Sequence, residues 1–209
     1  DLAGFAAVDL HMSDLVEGRR RLDEFTGFVA CGGFSYGDVL GAGRGWAKSI
    51  LFHQALREEF GRFLADPGKF ALGVCNGCQM LAALKELLPG TGGWPEFSGN
   101  RSEQFEARLS LVQGEESPSL FLRDMAGSRL PVATAHGEGR AAFAHGTLQE
   151  SVVALRYLDD GGAPECYPRN PNGSPQGNSG LCNADGRVTS LRPHPERSVR
   201  SVNWCWAAE

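Results

Sequence analysis

Gly73-Val74-Cys75-Asn76-Gly77, directly behind the apolar run Phe70-Ala71-Leu72, constrains this chain more than any other segment. The pattern is G-x-C-x-G at the end of a buried strand, and residues 79–88 read as a helix stopped by Pro89-Gly90. A strand that passes at once into a helix through such a turn is the cysteine counterpart of the nucleophile elbow, which lifts a reactive side chain clear of a sheet. The flanking glycines allow a strained backbone and put no Cβ against the strand or a ligand. A cysteine at a helix N-terminus lies beside unpaired N–H groups and the positive end of the helix dipole, and both favour the thiolate. Other readings fit the same residues. A single cysteine after an apolar strand is often a small buried hydrophobe. Cys75-Asn76-Gly77-Cys78 is also C-x-x-C, a redox pair or half a zinc site. No second C-x-x-C exists, and Cys31, Cys166, Cys182 and Cys205 are scattered singly, so metal and redox chemistry stay as minor alternatives.

A second candidate lies at Arg192-Pro193-His194-Pro195-Glu196-Arg197. Arg192 and His194 each precede a proline, which pushes both toward extended geometry. In an extended stretch, residues two apart share a side. Glu196 can then fix the imidazole of His194 while the other ring nitrogen faces a nucleophile. Residues 187–191 read as a strand, which places the pair at a strand end. Taken alone, the segment reads more readily as a proline-rich surface loop with a solvated histidine.

Short apolar runs alternate with helical patterns along the chain. Residues 6–10, 27–31 and 70–74 read as strands, and residues 46–63 as one amphipathic helix ended by Asp66-Pro67-Gly68. This alternation implies α/β architecture with a parallel sheet and helices on both faces. Residues 105–112, 130–135 and 152–157 read as further strands joined antiparallel, and residues 167–180, rich in Asn, Pro and Gly, as a loop. At 209 residues one domain is the natural count. The net charge of −5 argues against nucleic acid and anionic membranes as partners. No apolar run approaches the ~18 residues of a membrane span, and the scattered cysteines suit a reducing cytoplasm. Gly41-Ala42-Gly43-Arg44-Gly45-Trp46-Ala47-Lys48-Ser49 is not a P-loop, because Ala47 stands where that motif needs glycine.

G-x-C-x-G followed by Gln79, with a distant His-Pro-Glu, resembles the triad-type (class I) glutamine amidotransferases. Longer stretches resemble, within that class, the glutaminase parts of phosphoribosylformylglycinamidine synthases. They are Gly32-Gly33-Phe34-Ser35-Tyr36-Gly37-Asp38, Val74-Cys75-Asn76-Gly77-Cys78-Gln79, His136-Gly137-Glu138-Gly139-Arg140, the Asn- and Pro-rich residues 167–175, and Pro193-His194-Pro195-Glu196-Arg197. The resemblance runs from about residue 4 to about residue 204. It implies a flavodoxin-like three-layer α/β sandwich with a mostly parallel central sheet and added antiparallel strands. It implies Cys75 as nucleophile, His194 as general acid and base, and Glu196 as the group that orients His194. The backbone N–H groups of Gly33 and Asn76 would hold the oxyanion. Gln79 would touch the substrate or cap the helix, and His136 would open a loop bordering the pocket or a plain turn. The substrate implied is L-glutamine. The partner is a synthetase part that uses ATP and magnesium, while this domain itself is expected to need no metal or cofactor. Residues 1–209 are expected to be one amidotransferase domain, a C-terminal piece of a longer polypeptide and incomplete at both ends. A cysteine hydrolase acting on another γ-glutamyl amide, or a non-catalytic docking module, are the alternatives.

Overall fold

The apolar run before Cys75 forms strand β2 (Phe70–Val74), and helix α4 (Asn76–Ala83) starts at the next residue after the cysteine. The helix therefore begins three residues earlier than its apolar periodicity suggests. All seven residues from Asn76 to Ala82 are buried, as suits a helix enclosed on every side. The computed structural model describes residues 3–34, 41, 43–144, 148, 151–159, 162, 164 and 166–204. Its other helices are α1 (Met12–Val16), α2 (Arg44–Leu51) and α3 (Gln54–Ala65), and its first strand is β1 (Gly27–Ala30). The remaining strands are β3 (Glu96–Ser98), β4 (Glu106–Gly114), β5 (Arg129–His136), β6 (Arg140–Ala142), β7 (Val152–Tyr157), β8 (Asn178–Cys182) and β9 (Val188–Leu191).

Seven strands form one sheet in the order β1-β2-β9-β8-β7-β4-β5, and β3 and β6 form a separate two-stranded ribbon. The α/β class expected from the sequence is present, and the layout is consistent with the flavodoxin-like amidotransferase fold. The balance within the sheet differs from the expectation. Only β1, β2 and β9 run parallel, and every other pairing is antiparallel. The sheet is mixed because the second half of the chain returns through hairpins, without helical crossovers.

Four local expectations need correction. Residues 6–10 form no strand: they run along the surface, just after Phe5, whose ring lies tilted against Phe70 with centroids 5.6 Å apart, and have no sheet partner among the described residues. The single helix expected over residues 46–63 is two, because His53 takes extended backbone and its ring accepts a hydrogen bond from Leu56 N–H, capping α3. Glycine and proline are absent at that break, so the sequence does not advertise it. The expected loop over residues 167–180 ends in a fully buried strand, β8, rich in Asn, Ser and Gly. Pairing on both edges overrides the weak strand propensity of those residues. A Cβ on Gly180 would stand 2.8 Å from Leu191 and 2.9 Å from Leu155, so only glycine fits between these neighbours. Helices on both faces are not seen among the described residues either: α1 to α4 all contribute to one core.

That larger core packs Leu15, Ile50, Leu56, Phe60, Leu64, Met80 and Leu81 against Ala30, Ala71, Leu181 and Val188 of the sheet. A smaller cluster, Val112, Val132, Leu155, Tyr157 and Leu191, lies among the strands with Leu72 and Leu122 against it. The two glycines of the elbow are explained by close packing. A Cβ on Gly77 would lie 2.0 Å from the Ala30 carbonyl oxygen, and one on Gly73 would lie 2.7 Å from both Gly77 O and Leu81 Cδ1. Neither glycine has a positive φ, so the strain sits on Cys75 itself.

Gly77→Ala is expected to cost at least ~1–3 kcal/mol through overpacking. Gly61→Ala in α3, where the nearest atom to an added Cβ is 4.0 Å away, is expected to be neutral or stabilising by up to ~1 kcal/mol. Urea titrations of both variants test this; equal effects would contradict the close-packing account.

Candidate active site

Cys75 stands between β2 and α4 with φ 52° and ψ −109°, a conformation that residues with a Cβ rarely adopt. Its N–H donates to the Leu191 carbonyl at 2.8 Å, which ties the elbow to the end of β9. Its own carbonyl accepts from Gln79 N–H at 3.1 Å and from Nη1 of Arg192 at 2.7 Å. The turn is thus gripped on both sides of the strained residue.

The chain leaves β9 at Leu191 and places His194 over this turn. His194 N–H donates to the Ala133 carbonyl of β5 at 2.7 Å, and the ring is 2% exposed. Nδ1 of His194 lies 2.6 Å from Oε1 of Glu196. The pair forms differently from the extended run expected: Pro195–Arg197 is a 3-10 turn, closed by Arg197 N–H donating to the His194 carbonyl at 3.1 Å. Pro195 suits the first position of that turn because its φ is already set and it has no N–H to satisfy. Nε2 of His194 is buried without a hydrogen-bond partner among the described residues. The Cys75 side chain is close by: a Cβ added to Gly32 would sit 2.9 Å from the His194 ring and 3.2 Å from Cys75 Cβ. The thiol points to the Ala135 carbonyl at 3.6 Å.

Burial opposes charge on all three groups, and their mutual interactions overcome it. At Cys75 the neighbouring His194 imidazole, the Arg192 guanidinium and the Asn76 N–H outweigh desolvation, so the thiol titrates below its ordinary value. Desolvation would lower His194, but the Cys75 sulfur and the Glu196 carboxylate reverse this and raise it to about 9. Glu196 is desolvated too, yet the His194 hydrogen bond holds it below the usual carboxylate range. Cys78, one helical turn on, is pushed the other way by burial. The arrangement suits a thiolate–imidazolium pair with a carboxylate behind it.

The other residues singled out in the sequence take varied places. Asn76 opens α4 beside the thiol. Gly33 has φ 122°, a region open to glycine, but Gly32 is the one that lies against the Cys75–His194 pair. Residues 35–38 of that motif lie outside the described residues. The Gln79 side chain donates to the Glu138 carbonyl, bracing the turn after β5. His136 is buried at the end of β5 with Nε2 3.4 Å from the Tyr157 hydroxyl. Burial, then the Arg192 charge, hold its pKa well below 6.5, so it is neutral. Its contacts are those of a wall residue. Within the loop at residues 167–175, Asn170, Asn172 and Ser174 are buried; Asn170 donates to the Pro164 and Ser174 carbonyls and Ser174 accepts from Ala141 N–H.

Sequence reasoning missed Arg192, whose guanidinium joins the Cys75 carbonyl to the Glu138 carbonyl at 3.1 Å. Only its place two residues before His194 hinted at it. Among the described residues no group of three or more His, Cys, Asp or Glu side chains could hold a metal ion. Among them also, no helix is long and apolar enough to cross a membrane.

The profile of the CobB/CobQ-like glutamine amidotransferase domain matches residues 1–209. The chain belongs to that family. Among solved structures it is similar to PurLQS from Thermotoga maritima, at 28% identity over 88% of this chain and 75% of that one, with a TM-score of 0.63. It is also similar to a glutamine amidotransferase from Thermotoga maritima, at 19% identity over 88% of this chain and 69% of that one, with a TM-score of 0.48.

At pH 6 an ordinary thiol is only about 0.3% ionised. A small haloacetamide is therefore expected to label Cys75 ahead of the exposed Cys31 and Cys166, despite its burial, and to spare Cys78. Peptide mass spectrometry of short reaction times reads the order. Labelling that follows exposure alone would show that Cys75 is not activated.

Proposed function

We propose that this amidotransferase domain hydrolyses L-glutamine to glutamate and ammonia through Cys75, His194 and Glu196. The ammonia would serve the ATP-dependent conversion of formylglycinamide ribonucleotide to formylglycinamidine ribonucleotide in purine biosynthesis. The observation that carries the reaction is the strained Cys75 beside a histidine whose far nitrogen lies 2.6 Å from a carboxylate. The pathway is supported by the likeness to PurLQS at 28% identity, together with the motif stretches at Gly32–Asp38 and residues 136–140 and 167–175.

In this proposal the Cys75 thiolate attacks the carboxamide carbon of glutamine, and the carbonyl oxygen becomes an oxyanion. The backbone N–H groups of Gly33 and Asn76 would receive it, and such donors are typically worth ~3 kcal/mol each. His194, protonated, gives its proton to the departing ammonia and leaves a thioester on Cys75. The neutral imidazole then takes a proton from water, hydroxide adds to the thioester, and glutamate leaves. Glu196 keeps the ring oriented throughout. No step asks for a metal or cofactor in this domain; ATP and magnesium belong to the synthetase partner. A cytoplasmic setting fits a thiolate nucleophile.

In the intact enzyme, Cys75→Ala is expected to abolish glutamine-dependent synthesis and to leave ammonia-dependent synthesis in place. His194→Ala should cost about as much as losing Cys75, because members of such a unit are not additive. Glu196→Gln should cost less, about 10²-fold or under. Undiminished use of glutamine by Cys75→Ala would remove the nucleophile assignment, and better turnover of γ-glutamyl peptides than of glutamine would replace the substrate.

The pH profile carries a sign. Rate is lost in acid as the Cys75 thiolate takes up a proton, at a pH below the ordinary thiol value. It is lost in base as His194 gives up, at about 9, the proton owed to ammonia. The same raised value means that the stability His194 adds is complete below 6.5 and fades as pH rises through about 9. A glutamine-dependent rate still climbing above pH 10 contradicts this assignment.

A further inference from the structure

Arg192 is the largest fully buried side chain among the described residues, at 1% exposure. Its guanidinium donates to two carbonyl oxygens, those of Cys75 and Glu138, and lies 4.8 Å over the Phe97 ring. Nε has no partner among the described residues, and no carboxylate there forms a salt bridge with the group. A buried cation is costly unless hydrogen bonds and nearby ionisable groups answer it. The titratable groups around it are few. His136 on β5 is neutral. Tyr157 on β7, pushed to about 12, and Cys78 on α4 are kept protonated by burial. Glu196 is already engaged with His194, itself a cation in the resting pair. The Glu138 carboxylate accepts from Gly41 N–H, and the Cys75 thiol is the neighbour whose ionisation the Arg192 charge favours.

The backbone contacts point the same way. The residue that holds the Cys75 N–H, Leu191, immediately precedes the residue that holds the Cys75 carbonyl. Arg192 is itself fixed by its N–H to the Ser179 carbonyl of β8 at 2.8 Å. Two consecutive residues at the end of β9 therefore grip both peptide groups of the strained cysteine.

We propose that Arg192 is a positioning residue for the nucleophile: its fork clamps the Cys75 carbonyl to the turn at Glu138, and its charge is the fixed counterpart of the Cys75 thiolate. This rests on the reading of Cys75 as nucleophile, and the test separates the two. In the full-length protein, the pH dependence of Cys75 alkylation by iodoacetamide is followed by mass spectrometry for native, Arg192→Met and Arg192→Lys chains, alongside kcat and KM for glutamine. Arg192→Met removes the charge and keeps much of the volume. Its alkylation midpoint is expected to rise by about one pH unit, a roughly tenfold slower reaction at neutral pH. Arg192→Lys keeps the charge and loses the fork. Its midpoint should stay within about half a unit of native while kcat falls about tenfold and KM holds, as misplacement of a nucleophile does. A native midpoint in Arg192→Met overturns the charge role, and native kcat in Arg192→Lys overturns the clamp. Should Arg192→Met lose its cooperative melt, the lysine chain decides alone: a midpoint a full unit above native overturns the charge role. An ordinary thiol midpoint in the native chain sinks the nucleophile reading itself.

Discussion

Everything at the candidate site depends on one residue being held in a conformation it would not choose. Cys75 sits at φ 52° and ψ −109° between a parallel strand and a buried helix. Strain of this kind costs of order 1–3 kcal/mol and persists only where the surroundings over-determine it. Here they do so in three ways. β9 takes the N–H through Leu191, Arg192 takes the carbonyl, and α4 is pressed so close to β1 and β2 that Gly73 and Gly77 have no room for a Cβ. Such packing leaves the cysteine no relaxed alternative. The sulfur therefore projects beyond the sheet, beside His194.

The sheet's curl supplies the other half of the site. β5 is the strand farthest from β1 in the sheet order, yet Ala133 pairs with His194 and Ala135 O faces the Cys75 sulfur. The edge comes back on itself because antiparallel strands twist strongly and the β7–β8 pairing shifts register between Val153 and Arg156. An edge strand normally offers unpaired polar groups to any passing chain. In this fold part of that edge is spent on the histidine backbone and on Ser198, whose hydroxyl accepts from Ala133 N–H at 3.1 Å.

Two cysteines three residues apart show how local the electrostatics are. Cys75 and Cys78 share a helical turn and the Arg192 charge, yet one is lowered and the other raised. Desolvation is the largest influence on both. What separates them is the imidazole next to Cys75 and a helix N-terminal N–H aimed at it, while Cys78 has the Ser190 hydroxyl and apolar packing. The C-x-x-C spacing thus sets a thiol whose ionisation is favoured beside a core thiol whose ionisation is opposed.

Several features were legible in the residues alone. The apolar run into Gly73 and Cys75 marked β2 and the elbow, since a buried strand and a close helix leave a signature of apolar side chains and glycines. Pro195 and Glu196 marked the histidine and its carboxylate because proline limits the backbone to few paths. The alternating runs at residues 130–135 and 152–157 gave β5 and β7. Other features left no such trace. The break at His53 depends on a ring capping a helix, β8 on two neighbours that force Asn, Ser and Gly into a strand, and the parallel-to-antiparallel balance on how hairpins stack. Nothing in the local sequence marks Arg192 as buried, yet in the fold it is enclosed and bonded to two backbone carbonyls. The sequence by itself determined which residues could carry the chemistry, because residue type and local backbone limits are written in it. Only the tertiary structure decided which of them meet. Curl, register and burial arise from contacts between residues as far apart as Cys75 and Arg192, and no local pattern encodes such contacts.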